Sequence, residues 1–130
     1  MDFNFLLTLI GSLIIIAIDS IYLYFNKNFY NDIIDPSENI NIISAILVWI
    51  LIIVSIQLLV LSRDNLTQSK VFLYGILLGL AMYGVYNLTN ASMYPNKWSI
   101  KIILGDTSWG MLITGVMSLI LYNIGNNIYL

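Results

Sequence analysis

Cysteine and histidine are both absent from this chain of 130 residues, and charged side chains make up only 9% of it. Without cysteine there are no disulfides and no thiol chemistry. Without histidine there is no imidazole catalysis, and the two absences together remove zinc sites built on Cys or His ligands. The scarcity of charge reaches further. The net charge is -2, and Lys27, Arg63, Lys70, Lys97 and Lys101 are scattered rather than grouped. No basic stripe is available to neutralise phosphates, so nucleic acid is not an expected partner. No lysine falls in the middle of an apolar run either, which sets aside a Schiff-base chromophore. Any chemistry is left to carboxylates, Tyr, Ser/Thr, Asn/Gln, Trp or Lys.

What the chain has instead is hydrophobicity. Apolar residues amount to 59% and mean hydropathy is +0.87, whereas a soluble domain carries about 25% charged residues. An integral, multi-pass membrane protein is implied. A span consumes about 20 apolar residues, so four spans with short loops use up the chain and leave no soluble domain. The expected fold is all-α, a polytopic antiparallel bundle of four transmembrane helices forming one domain over residues 1–130, with helices at about 3–25, 40–61, 70–90 and 99–122. Residues 123–130 read as an uncharged tail. The second run is rich in β-branched residues, yet a lipid-exposed segment must satisfy its own backbone, so helix is favoured over strand. A transmembrane barrel would show alternating segments of about 10 residues, and these runs are continuous. The first run lacks a basic flank and is too long for a signal core, so a retained first helix is expected.

Between the first two helices, Asp32, Asp35-Pro36 and Glu38 mark a loop, with Phe29-Tyr30 expected along the membrane interface. Tyr22, Tyr24, Tyr94 and Trp98 suit the headgroup region as anchors. Asn65-Leu66-Thr67 matches a glycosylation acceptor, but its closeness to two helix ends argues against use. Orientation is nearly balanced: Arg63 and Lys70 fall on the side of the termini, against Lys27, Lys97 and Lys101 on the other. The positive-inside rule therefore leans only slightly toward termini outside.

Polar residues sit where a chain this apolar has least room for them. On the third helix Gly75, Gly79, Tyr83 and Asn87 fall four apart, and on the fourth Asp106, Gly110, Thr114 and Ser118 do the same. Gly75, Gly79, Gly110, Thr114 and Ser118 form small-residue stripes suited to close helix packing. Antiparallel spans put the end of the first helix, the end of the third and the start of the fourth on one side. At 1.5 Å per residue, Asp19 and Asp106 then both lie about 9–10 Å below that surface. Tyr22, Tyr83, Tyr86, Asn87, Asn90 and Trp109 complete the expected intramembrane polar site, with Trp49 and Trp109 readable either as packing or as cavity wall.

An ionised Asp at a helix centre costs roughly 2.5–3.5 kcal/mol on insertion scales. At about 6 Å apart and an effective dielectric of 20, two of them would repel by about 3 kcal/mol. A shared proton, a cation or a wet cavity between them relieves that cost. The plainer reading is that these polar groups only tie helices together, at around 0.6 kcal/mol per contact. Asn and Thr fit that role well, but a carboxylate is an expensive way to achieve it.

Four short motifs in combination give the chain a resemblance to the family named domain of unknown function 2177. DSIYL at Asp19 to Leu23, the pair Phe29-Tyr30, YNLTNAS at Tyr86 to Ser92 and DTSWG at Asp106 to Gly110 are similar to the family's motifs and span nearly the whole chain. Asn87 departs from them, standing where the family usually has Asp. The resemblance implies a four-helix membrane fold and brings no settled activity. Abundant Ile and Asn also fit an AT-rich genome, such as a viral one.

The function expected from these residues is a small channel or transporter for protons, cations or a small solute, using the Asp19/Asp106 site, with homo-oligomers as a way to enclose more space. The alternative is a lipid-binding or lipid-modifying pocket on one leaflet, or an accessory subunit whose polar site is structural. No strong nucleophile or catalytic signature is present, which weighs against an enzyme. No cofactor is expected, and whether a metal binds is left open. The expected partners are the lipid bilayer, a proton, cation or small-molecule ligand, and further copies of the chain.

Overall fold

Each of the four long helices starts on a side chain that can cap it. Asn4 Oδ1 accepts from the Leu7 amide at 3.0 Å, Asn41 Oδ1 from Ser44 at 3.0 Å, Thr67 Oγ1 from Lys70 at 3.3 Å, and Ser99 Oγ from Ile102 at 3.3 Å. Such caps satisfy amides that no helical carbonyl reaches, which matters most where water is scarce. In the computed structural model, which describes residues 1–31, 33–34, 37 and 39–128, the caps open α1 (Phe5–Phe25), α2 (Ile42–Ser55), α3 (Gln68–Met93) and α4 (Ile100–Ile128). A short 3-10 turn, Lys27–Tyr30, follows α1. Asp32, Asp35, Pro36 and Glu38 of the expected loop, and the last two residues of the expected tail, lie outside the described residues.

All four helices are long and apolar enough to cross a membrane. The chain is an integral, multi-pass membrane protein with an all-α fold. Only 22% to 39% of the most apolar window of each span is buried within the protein. The remaining apolar surface, including Phe5, Leu13, Leu51 and Leu104, faces outward to lipid. Inside, Leu7, Ile15, Ile53, Ile56, Met117 and Leu121 are fully buried and fill the bundle.

Two helices extend beyond the sequence expectation. Helix α3 begins earlier, because Thr67 caps it, and runs to Met93, two residues short of Pro95. Helix α4 continues to Ile128, so most of the expected tail is helical. There Asn123 returns its amide to the Leu119 carbonyl at 2.8 Å, Ile124 packs on the core and Gly125 is buried.

Neighbouring helices run antiparallel, and α3 and α4 make the most extensive contact. A Cβ on Gly79 would lie 2.5 Å from the Gly110 carbonyl oxygen, and one on Gly75 would lie 2.8 Å from the Gly115 Cα. Only glycine permits that approach, and lipid offers no hydrophobic drive to replace the lost van der Waals contact. The stripe of small residues is thus the seam of the bundle.

The second span does not stay α-helical. From Ile56 to Leu61 it widens into a π-helix. Its buried residues come in pairs four apart: Ile52 and Ile53, Ile56 and Gln57, Val60 and Leu61. In a straight α-helix, spacing of four drifts by about 40° per turn. The wider turn keeps the pairs inward. It also aims Gln57 at α1, where its Nε2 donates to Thr8 Oγ1 at 2.7 Å and its Oε1 accepts from the Asn4 amide at 2.9 Å.

Candidate functional site

Asp19 is held from two sides by tryptophan. Its Oδ2 accepts from Trp49 Nε1 of α2 at 2.9 Å and its Oδ1 from Trp109 Nε1 of α4 at 2.8 Å. An indole N–H is a donor only, and in an apolar helix it needs an acceptor. Each hydrogen bond to a charged group contributes about 1.5–3 kcal/mol, so two of them are comparable with the insertion cost of one carboxylate. The Trp109 ring is in turn fixed by stacking on Tyr22, with centroids 3.8 Å apart and planes within 5°.

Asp106, one helix away, is held differently. Its Oδ2 accepts from Asn87 Nδ2 of α3 at 2.7 Å and its Oδ1 from the Tyr30 hydroxyl at 2.8 Å. Asn87 is fully buried, and its Oδ1 accepts from Trp98 Nε1 at 2.8 Å. Tyr30 arrives because the 3-10 turn is seated on α4. The Phe29 ring covers Gly105, where a Cβ would collide with it, and Lys101 Nζ lies 5.3 Å over the same ring. The Tyr22 hydroxyl is 3.4 Å from that of Tyr30. Burial first, then the Tyr22 contact and the charge of Asp106, raise the Tyr30 phenol far above its usual ionisation range.

Asp19 and Asp106 both line a cavity of about 360 Å³, together with Tyr83 and Tyr86 of α3 and Val48 and Ile52 of α2. Gly110 seats Tyr83: the Tyr83 ring lies against the α4 backbone where any side chain would stand. Helix α3 meets the second span chiefly at Ile56–Leu61. Toward Val48 and Tyr86 the two spans part, and both residues are more than half exposed. On the side of the loops, Tyr30 and Trp98 stand across the carboxylates. A second cavity of about 430 Å³ is lined by Tyr30, Lys27, Asn31 and apolar side chains.

Among the described residues no group of three His, Cys, Asp or Glu could hold a metal ion. Chemically, the cavity offers two carboxyl groups, aromatic faces and an apolar wall.

Of the residues singled out from sequence, Asp19, Tyr83, Tyr86 and Asp106 line the cavity, while Tyr22, Asn87 and Trp109 stand behind the carboxylates. Asn90 does not join them; its Nδ2 donates to the Tyr86 carbonyl at 2.8 Å on its own helix. Thr114 and Ser118 are fully buried further along α4, with Ser118 Oγ against Gly75. Tyr30, expected at the interface, is instead buried against Asp106. Trp98, expected as an anchor, also reaches Asn87. The donor role of Trp49 was signalled only by the rule that a buried indole needs an acceptor.

The model of a family described as predicted membrane protein, domain of unknown function 2177, matches residues 4–123. The chain belongs to that family. No curated protein and no solved structure matches it.

Proposed function

We propose that this member of the family is a small membrane transporter that takes up a proton, a cation or a small solute at the Asp19/Asp106 pocket. The observation carrying this reading is that two carboxylates from different helices line one cavity inside the membrane-spanning region. Intramembrane carboxylates are costly and mark ion and substrate routes more often than scaffolding. All four of their oxygens accept from neutral donors, and among the described residues no Lys or Arg lines the cavity.

A carrier fits better than an open channel. Beyond the pocket, toward the opposite face, fully buried Ile15, Ile53, Ile56 and Met117 fill the bundle, so a continuous pore has no support. One chain also suffices to line the pocket, and a homo-oligomer is not required for binding.

The test is flux in proteoliposomes. Protein with Asp106→Asn keeps the size of the side chain and an acceptor for Tyr30 and loses the carboxylate; its new amide faces Asn87 Nδ2, which retains the Tyr83 carbonyl and Thr107 Oγ1 as acceptors. Proton or cation flux should drop to the level of empty vesicles while the unfolding temperature stays within a few degrees. Undiminished flux in that variant would sink the proposal. The exposure of Val48 and Tyr86 within spans favours a second reading, a pocket that holds a lipid at one leaflet. Lipid retained through purification, and lost in Asp19→Asn without any flux in the parent protein, would select it.

A further inference from the structure

The transporter reading leaves the class of substrate open, and the lining of the pocket narrows it. A small inorganic cation wants a shell of oxygens: six to eight for Ca²⁺, six in octahedral order for Mg²⁺. Here two carboxylates and the phenols of Tyr83 and Tyr86 are set among Val48, Ile52 and Met82. That is a poor oxygen shell. It is a good surface for a single positive charge carried on an apolar body, because the carboxylates meet the charge, the phenol rings offer cation-attracting faces, and the aliphatic wall meets the body. About 360 Å³ falls in the size range of small-molecule pockets.

The way in points to the same class. On the loop side, Tyr30 is bonded to Asp106 and Trp98 to Asn87, so that side is crossed by two aromatic side chains. The lip formed by Val48 and Tyr86 lies on spans, exposed at 53% and 55%, where the surroundings are hydrocarbon. A ligand reaching the carboxylates by that route must first dissolve in the bilayer. A hydrated metal ion does not; a lipophilic cation does.

We infer that the pocket binds a lipophilic organic cation that enters from the bilayer between α2 and α3. This rests on the transporter reading for its biological direction, but binding can be measured apart from transport. The experiment uses the full chain in nanodiscs of phosphatidylcholine with tetraphenylphosphonium as probe. Tetraphenylborate, of the same shape and opposite charge, is the control, and empty nanodiscs give the unsaturable background. Saturable binding of the phosphonium and none of the borate is expected, weakened about tenfold or more by Asp19→Asn and by Asp106→Asn. Val48→Trp, a change on a lipid-facing position that leaves both carboxylates in place, should also remove the saturable part by filling the lip.

Equal binding of both ions, no saturable binding, or binding indifferent to Asp19→Asn and Asp106→Asn would overturn the inference. Asp106-dependent proton or metal-ion flux without phosphonium binding overturns it too, while leaving the transporter reading in place. Phosphonium binding with no flux of any cation upholds the inference and removes the transporter reading.

Discussion

Tyr30 and Asp106 stand 76 residues apart in the chain, and the phenol of the first donates to the carboxylate of the second at 2.8 Å. The bond joins the short turn after α1 to a carboxyl group within the fourth span. It depends on Phe29, the preceding residue, finding the bare backbone of Gly105. The loop and α4 therefore carry matched features at neighbouring positions.

Stability should fall in alkali because of Tyr30. Its folded-state ionisation is raised, whereas in the unfolded chain the phenol ionises near pH 10 or so. Above that pH the folded protein holds a proton that the unfolded one has released, so stability declines as pH rises, and below it the contribution is fully present. Tyr30→Phe should show a flatter decline between about pH 10 and 12 in detergent unfolding. Parallel curves for the two proteins would count against this account.

The two indoles on Asp19 should be unequal. Trp49→Phe leaves Oδ2 without its donor, at a cost of about 1–3 kcal/mol. Trp109→Phe removes the other donor and also alters the stack on Tyr22, adding about 0.5–1.5 kcal/mol. Combined with Asp19→Asn, each effect should shrink, with a coupling of about 0.5–3 kcal/mol. Denaturant titration of the three single and two double variants measures it; strict additivity would argue that Asp19 and the indoles act separately.

Replacing Asn87 by Leu should destabilise the bundle although the side chain is of similar size. The change strips a donor from Asp106 Oδ2 and an acceptor from Trp98 Nε1. About 1–3 kcal/mol follows for each polar group left dry and unpaired. Trp98 should also turn more solvent-exposed, visible as a red shift of emission in a protein where Trp49 and Trp109 are replaced by Phe as background.

The seam between α3 and α4 offers a paired test. Gly79→Val places methyl groups against the Gly110 carbonyl and should lower the unfolding temperature by many degrees or prevent folding. Gly84→Ala, whose Cβ would meet nothing nearer than 3.7 Å, should be neutral or stabilise by up to about 1 kcal/mol through helix propensity. If both substitutions behave alike, close packing is not what holds these helices.

The spans were legible in the sequence because their length is set by the bilayer and their antiparallel order by short loops. The common depth of Asp19 and Asp106 followed from helical rise alone. What sequence could not supply was the rotation of each helix about its axis. Asn90 lies three residues beyond Asn87, about 60° short of a full turn, and its amide settles on the Tyr86 carbonyl of its own helix instead of the pocket. Trp49 showed no partner until α1 and α2 were set side by side. Tyr30 was hidden for another reason: a polar loop gave no periodic signal, and the seat for Phe29 is the absence of a side chain at Gly105.

The π-helical stretch in the second span has a mechanical meaning as well. A turn that holds one residue more than its neighbours is slack in an otherwise taut rod. Were that slack to migrate along the span toward Trp49, the residues it passed would each turn by about 100° about the helix axis. Val48, Trp49 and Ile52 would swing off Asp19 and the pocket wall without a break in the backbone and without displacement of α3 and α4, whose glycine seam fixes them as one body. The close glycine seam lies between α3 and α4, and the wide turn lies in the second span, outside that seam.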